Sequence, residues 1–457
     1  MSSADAPRQA AEAPLPPVEP PSAGFLIQLF VIPGVIVAAI VGVWLLFTSL
    51  ASDTGDPRTY LEHLRSSTDK RWHAAVYLAS ALAGDEHAEL RYDPKFMADM
   101  ATVLDQSLDG GDTAEQAVAF RSYLSRALGH FHIATSLPTL VKAATTQRDP
   151  NEVEVRLSAL EAIAQLTDNI RRPLAEKLLP QAAALARESA DAVRASEGGA
   201  EAANRLVALA DEADALARIA TRSADLGARA GRLAEAFSPA VDAAERFATS
   251  EDGRGRIDEL RATVAEIARQ AREAAAVDWQ ASSPLAEAVL GAAGEFTEEE
   301  RDDPRLKRRV PYAHSLRERG AYALGVLGGG EALVRLDEML GDAHPNVRYN
   351  AATSLCRHGA ASERLADTLV EMLLAPEVKV EEPEGGFNES VKETIDTNSK
   401  QQITINALRA VLLLAAENPQ ADLKPIVAAV EKLAETGEPQ RLRIDAKTAL
   451  ETLSKRG

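Results

Sequence analysis

The chain has 457 residues, 46% apolar but only 4% aromatic, and its 50 Lys and Arg against 69 Asp and Glu leave a net charge of −19. That balance repels phosphate backbones and argues against nucleic acid as the main partner. The single cysteine, Cys356, excludes an intrachain disulfide framework and any zinc site of several cysteines. Apolar surface drawn from Ala, Leu and Val rather than from aromatics favours close-packed helices over sheets.

Residues 1–23 mix Pro7, Pro14, Pro16, Pro17, Pro20 and Pro21 with Ala and acids, a composition that cannot bury a core and reads as a disordered tail. Between Glu19 and Asp53 no residue is charged. Within that stretch Phe25–Leu50 reads FLIQLFVIPGVIVAAIVGVWLLFTSL, about 39 Å of helix at 1.5 Å per residue, and so predicts a transmembrane helix over 24–50. Ser49-Leu50-Ala51 has the form of a signal-peptide cleavage site. Against that alternative, the apolar run exceeds an h-region of about 7 to 15 residues, and the preceding tail carries Asp5, Glu12 and Glu19 against Arg8 alone. Arg58, Arg65, Lys70 and Arg71 follow the span, so the positive-inside rule places the C-terminal part in the cytoplasm with the N-terminus outside.

The soluble part contains a recurring phrase. NVRYNAATSLCRHG at Asn346–Gly359 aligns without gaps on SLRERGAYALGVLG at Ser315–Gly328, an offset of 31 residues, matching Val347 to Leu316, Arg348 to Arg317, Ala352 to Ala321 and Leu355 to Leu324. Looser copies are RWHAAVYL from Arg71, FRSYLSRALG from Phe120, VRLSALEAI from Val155 and LRIDAKTAL from Leu442. Each places apolar or small residues at helical spacings of three and four. Glu331–Leu340 forms a second amphipathic pattern ahead of the best copy, and Gly341-Asp342-Ala343-His344-Pro345 lies between, with Pro345 suited to the first turn of a helix. The unit is helix, short turn, helix, and its fixed period signals a solenoid.

This pattern resembles the HEAT repeat family, in the short variety also found in phycobilisome lyases: a turn Asp, then Val-Arg, small residues and Leu-Gly. Asp342, Val347, Arg348, Ala351, Ala352 and Leu355 carry the motif, as do Leu316, Arg317, Ala321, Leu324 and Gly325. The resemblance is clearest over 310–375 and extends over 57–180 and 400–455. It implies a curved scaffold for protein binding more than chemistry. It also implies that motif arginines pair with turn carboxylates between stacked units, so Asp342, Arg317, Arg348 and Arg443 are expected to form a structural ladder. Arg71, Arg121 and Arg156 extend that row, and Asp69 and Asp149 occupy equivalent turns.

The expected organisation is all-α: HEAT-like repeats over 53–186, an Ala-rich helical insert over 187–300, and further repeats over 301–457. In the insert, Leu206, Leu209, Ala213 and Leu216 run at spacings of three and four, and Ile219, Leu226 and Leu233 at seven. These fit long helices or a short antiparallel coiled coil broken at Gly198-Gly199, Ser238-Pro239 and Glu251–Gly255. An isolated coiled coil is the alternative and would give self-association through 187–300. Glu295–Arg309 and the acidic stretch 376–402 read as solvated loops, with a docking role as the alternative.

No catalytic residue, cofactor or metal is expected. Some HEAT-like enzymes hold two irons through repeated His-Glu pairs, but none of His63, His73, His87, His130, His132, His314, His344 and His358 is followed by Glu. Gly325, Gly328, Gly329 and Gly330 lack the Gly-Lys-Ser/Thr of a phosphate loop and read as a helix end with its turn. Cys356 has no assignable base and reads as a buried helix thiol. Tyr349, Thr353 and Arg357 share a helix face away from the Val347, Ala351 and Leu355 stripe and are the expected protein-binding face, with Tyr322 and Trp72 as equivalents in other repeats. Packing between repeats is the alternative for the last two. The expected function is a membrane-anchored scaffold that binds a protein partner and assembles or regulates a membrane-associated complex. A bilin-lyase-like enzyme and a signalling protein transmitting through the Ala-rich helices are the alternatives.

Overall fold

The computed structural model describes residues 56–66, 70–294, 314–378 and 389–455. The chain divides into Met1–Asp56 and Pro57–Gly457, and the described architecture belongs to the second unit. The span expected over 24–50 lies outside the described residues, as does the charged stretch 295–309. Among the described residues no helix is long and apolar enough to cross a membrane, and no strand occurs.

Among the described residues seven helix pairs form two rows. The first helices are α1 (Pro57–Leu64), α3 (Pro94–Gly110), α5 (Leu137–Thr145), α11 (Pro284–Ala292), α13 (Gly330–Met339), α15 (Glu363–Leu374) and α17 (Lys424–Thr436). Their partners are α2 (Lys70–Ala83), α4 (Glu115–Gly129), α6 (Val153–Pro173), α12 (Ser315–Leu327), α14 (Pro345–Arg357), α16 (Glu389–Glu417) and α18 (Gln440–Ser454). The second helices pack in unbroken succession, α2 on α4, α4 on α6, α6 on α12, then α14, α16 and α18. This is a two-layer helical stack of solenoid type.

Local chemistry sets the helix starts. Asp93 accepts from the amides of Lys95 and Phe96 ahead of Pro94, and Ser250, Ser283 and Ser362 cap α10, α11 and α15 in the same way. Gly111 at φ 66 ends α3 in the left-handed conformation. The two best copies of the repeated phrase become α12 and α14, which pack together. Ser354 Oγ donates to the Ala321 carbonyl at 3.2 Å, and the His358 ring meets the Gly325 carbonyl at 2.8 Å. Val347, Ala351 and Leu355 are buried as their spacing predicts.

Between α6 and α11 the chain leaves the stack. After a π turn at Leu174–Leu178, α7 (Leu179–Arg194), α8 (Ala200–Ile219), α9 (Leu226–Glu245) and α10 (Glu251–Ala276) close a four-helix bundle, each packed on two others of the set. Its seam is small: Ala203, Ala210, Ala213, Ala230, Ala234, Ala271 and Ala274 are all buried. The insert therefore begins before 187 and ends before 300, because α11 already packs on α5 and α12. Of the two readings of the insert, long helices are what forms, and the run at seven does not continue along one helix, since Ile219 and Leu226 fall on different helices. Pro239 lies inside α9, whereas Ser250 caps α10 at Glu251, so only the break near Gly198-Gly199 sits where the sequence puts it. The stretch expected as loop 376–402 is helical from Glu389, the start of α16.

One buried arginine joins the parts. Arg171 on α6 is 0% exposed and donates to the carbonyls of Val326 at 2.8 Å and Leu327 at 3.3 Å, closing the last turn of α12, and to Val277 at 3.2 Å in the insert. Burial pulls its pKa down to about 10 against the opposing charges of Asp278, Asp168 and Asp225. Beside it, Gly328 at φ 74 and Gly329 at φ 102 turn the chain between α12 and α13. A Cβ on Gly329 would stand 2.6 Å from the Trp279 ring, so this turn needs glycine for conformation and for space alike.

Candidate functional site

The second-helix row presents side chains that the first helices do not cover. At its start, half-buried Trp72 on α2 meets Tyr123 on α4 edge-on at 6.1 Å and 86°, with the Arg126 guanidinium 5.6 Å from the Tyr123 ring centre. Trp72 thus packs between repeats.

Further along, α12, α14 and α16 form an open groove of about 400 Å³. Tyr322 lines it from α12, while Asn350, Thr353, Ser354 and Arg357 do so from α14 and Asn406, Arg409, Ala410 and Leu413 from α16. Three of the residues expected to form a binding face, Tyr322, Thr353 and Arg357, are brought together here. Gly325 allows this: a Cβ there would collide with Ser354, so the glycine lets α12 and α14 cross closely. Tyr322 and Leu413 are each 37% exposed, large apolar surface at the groove. Among the described residues Arg357 and Arg409 have no hydrogen-bond or ion-pair partner, whereas Asn406 Oδ1 accepts from Gln402 Nε2 at 3.0 Å. Asn406, Arg409 and Leu413 follow one another at helical spacings of three and four, a face readable in the sequence but obscured by the expectation of a loop just before it.

Tyr349 does not belong to this face. It is 5% exposed, and its hydroxyl donates to Glu371 Oε1 at 2.6 Å while accepting the Glu377 amide at 2.8 Å. Burial first, then the Glu371 hydrogen bond, push its pKa well above the ordinary tyrosine value. The spacing of four groups Tyr349 with Thr353 and Arg357, but an inner-row helix is flanked on several sides, and the turn nearest α15 is covered.

The arginine ladder exists in altered form. Arg317 holds Asp342 with two hydrogen bonds, Nε to Oδ2 at 2.7 Å and Nη2 to Oδ1 at 3.1 Å, across adjacent units as the resemblance implies. Desolvation pushes the Asp342 carboxyl up, but bonds from Arg317 and the His344 amide outweigh it and hold the pKa below the ordinary 3.8. Arg348 instead reaches the Asp342 carbonyl at 3.1 Å and the carboxylates of Glu371 at 2.7 Å and Glu377 at 3.3 Å. Arg443 donates to the Gly437 carbonyl at 2.8 Å. Arg121 likewise takes the Asp112 carbonyl at 2.7 Å, together with buried Glu152 at 3.0 Å, and Arg156 takes the Ala144 carbonyl at 3.2 Å. The recurring partner is thus the backbone of the preceding turn, which a guanidinium satisfies without needing an acid at a fixed position. Asp149 caps its own turn through the Asn151 amide at 2.8 Å, and Asp69 lies outside the described residues.

Three histidines and the cysteine are held within the stack. His130 pairs with Gln165 at 2.9 Å, and His132 stacks on Tyr92 while bonding the Asn169 carbonyl at 2.8 Å. Burial lowers the pKa of both, and of His358. Cys356 is fully buried, which pushes its thiol up to about 12. Among the described residues no group of His, Cys, Asp and Glu could hold a metal ion.

No family model matches the chain, and no curated protein matches it. Among solved structures the chain is similar to human deoxyhypusine hydroxylase in complex with glycerol, at 16% identity over 87% of this chain and 96% of that one, with a TM-score of 0.22. A likeness of that extent carries no inference about activity.

Proposed function

We propose that this chain is a HEAT-like scaffold, anchored in a membrane through residues 24–50 with its helical stack on the cytoplasmic side, that binds a protein partner on its second-helix row and assembles or regulates a complex there. The observation that carries this reading is the groove between α12, α14 and α16, where Tyr322, Thr353 and Arg357 meet Arg409 and Leu413. Exposed aromatic and arginine side chains around a concave patch are the usual anchors of protein recognition. The test is a photo-crosslinking residue at Thr353 in the full-length protein in native membranes, with Glu235 on the insert as the control position. A defined partner captured from Thr353 and not from Glu235 supports the reading. Capture that does not differ between the two positions sinks it.

A further inference from the structure

The chemistry of the groove points to a narrower class of partner. We infer that it receives an acidic protein segment, whose carboxylates are held by Arg357 and Arg409 while its apolar side chains lie against Tyr322 and Leu413; this rests on the scaffold reading above and specifies it. Three observations carry it. Arg357 and Arg409 come from neighbouring helices into one groove, and none of the described residues lining it is acidic, although acids outnumber bases in the chain. Neither guanidinium has a partner among the described residues, whereas Arg317, Arg348, Arg121 and Arg171 are all engaged. Two unengaged guanidinium groups lining one groove from adjacent helices offer the fork of N–H donors that carboxylates fill.

The net charge of −19 does not oppose this. At physiological ionic strength charges are screened beyond about 8 Å, so the local pair of arginines decides the contact while the overall charge only slows the approach. A lipid surface fits less well. A flat anionic membrane is held by clusters of about four to eight basic residues, whereas this groove offers two beside exposed apolar surface and the amides of Asn350 and Asn406. That arrangement suits alternating charged and apolar side chains on a peptide.

The experiment uses the full-length protein in detergent and a short fluorescent peptide of alternating Glu and Leu, with its Gln and Leu twin as the uncharged control. Fluorescence anisotropy is expected to show the glutamate peptide bound roughly tenfold more tightly than its twin. Arg357→Gln and Arg409→Gln are each expected to weaken it roughly fivefold, with Arg205→Gln on the insert without effect and thermal melting unchanged throughout. Equal binding of the twins overturns the inference, and so does binding indifferent to both groove substitutions. Retention of phosphatidylserine vesicles through Arg357 and Arg409 without peptide binding also overturns it, making the groove a membrane contact. A partner crosslinked from Thr353 whose capture ignores both substitutions sinks the acidic segment and leaves the scaffold. Glutamate-peptide binding that depends on both arginines, without specific capture from Thr353, sinks the scaffold reading and keeps the carboxylate site.

Discussion

Arg171 donates a 2.8 Å hydrogen bond to the carbonyl of Val326, a residue 155 positions later in the chain, and so ties the last turn of α12 to α6. Arg171→Met keeps most of the side-chain length but leaves the buried carbonyls of Val326, Leu327 and Val277 without their donor. A loss of about 2–4 kcal/mol is expected in urea unfolding at pH 7, with a broadened transition as the N-terminal and C-terminal parts of the stack uncouple. A variant that unfolds like the wild type would show that the contact holds nothing together.

Asp342→Asn tests the Arg317–Asp342 rung of the ladder. The folded-state pKa of Asp342 lies below 3.8, so its ion pair with Arg317 stabilises the fold above that value and is lost as pH falls through the folded pKa. The variant is expected to be less stable by about 1–3 kcal/mol at neutral pH, both partners being largely shielded from solvent. The gap from the wild type should close in acid, below roughly pH 3.8. A gap that persists undiminished there would mean the asparagine is penalised for some reason other than lost charge.

Because the Tyr349 hydroxyl bridges Glu371 and the Glu377 amide, Tyr349→Phe should cost about 1–2 kcal/mol and Tyr349→Ala about 3–5 kcal/mol. Thermal melting measures both. Unchanged melting would return Tyr349 to the exposed face that its helical spacing suggests.

Gly329→Ala forces an L side chain into φ 102 and against the Trp279 ring. A loss of about 2–4 kcal/mol is expected, with a changed Trp279 fluorescence. Gly330→Ala, one residue on at the start of α13, meets nothing within 4 Å and should be neutral or stabilising by about 0.5–1 kcal/mol. Similar melting temperatures for the two variants would contradict the close packing of this turn.

The full-length protein should remain in membrane pellets after alkaline extraction, and removal of residues 1–52 should release it. The expectation rests on the uncharged stretch between Glu19 and Asp53. Full-length protein recovered from the supernatant, or a mature N-terminus at Ser52, would count against an anchor.

The register of the second helices was readable because Val347, Ala351 and Leu355 repeat at helical spacing and all three are buried. Tyr349 was misread for a related reason: periodicity finds the most apolar stripe, but α14 packs against α12, α13, α15 and α16 and has little free face left. The arginine row was visible as a pattern, and so was Asp342 as the partner of Arg317, yet most of the other partners were not, since a carbonyl acceptor leaves no trace in residue identity. The groove was half legible. Thr353 and Arg357 lie within a recognisable phrase, whereas Arg409 sits on a helix with no such phrase. Pro239 shows the limit of breaker residues as boundary marks, because packing on α10 carries α9 through it.

The bundle of α7–α10 stands as a parenthesis within the stack, and this bears on the order in which the protein is made. α6 is buried nearly all round, but part of its cover, α12, emerges from the ribosome some 155 residues after Arg171. At roughly 5–20 residues per second, that face stays uncovered for about eight to thirty seconds of synthesis. During that interval the nascent N-terminal repeats are an unfinished surface, and the point where the chain departs is where a chaperone or a premature neighbour would find apolar helix to hold.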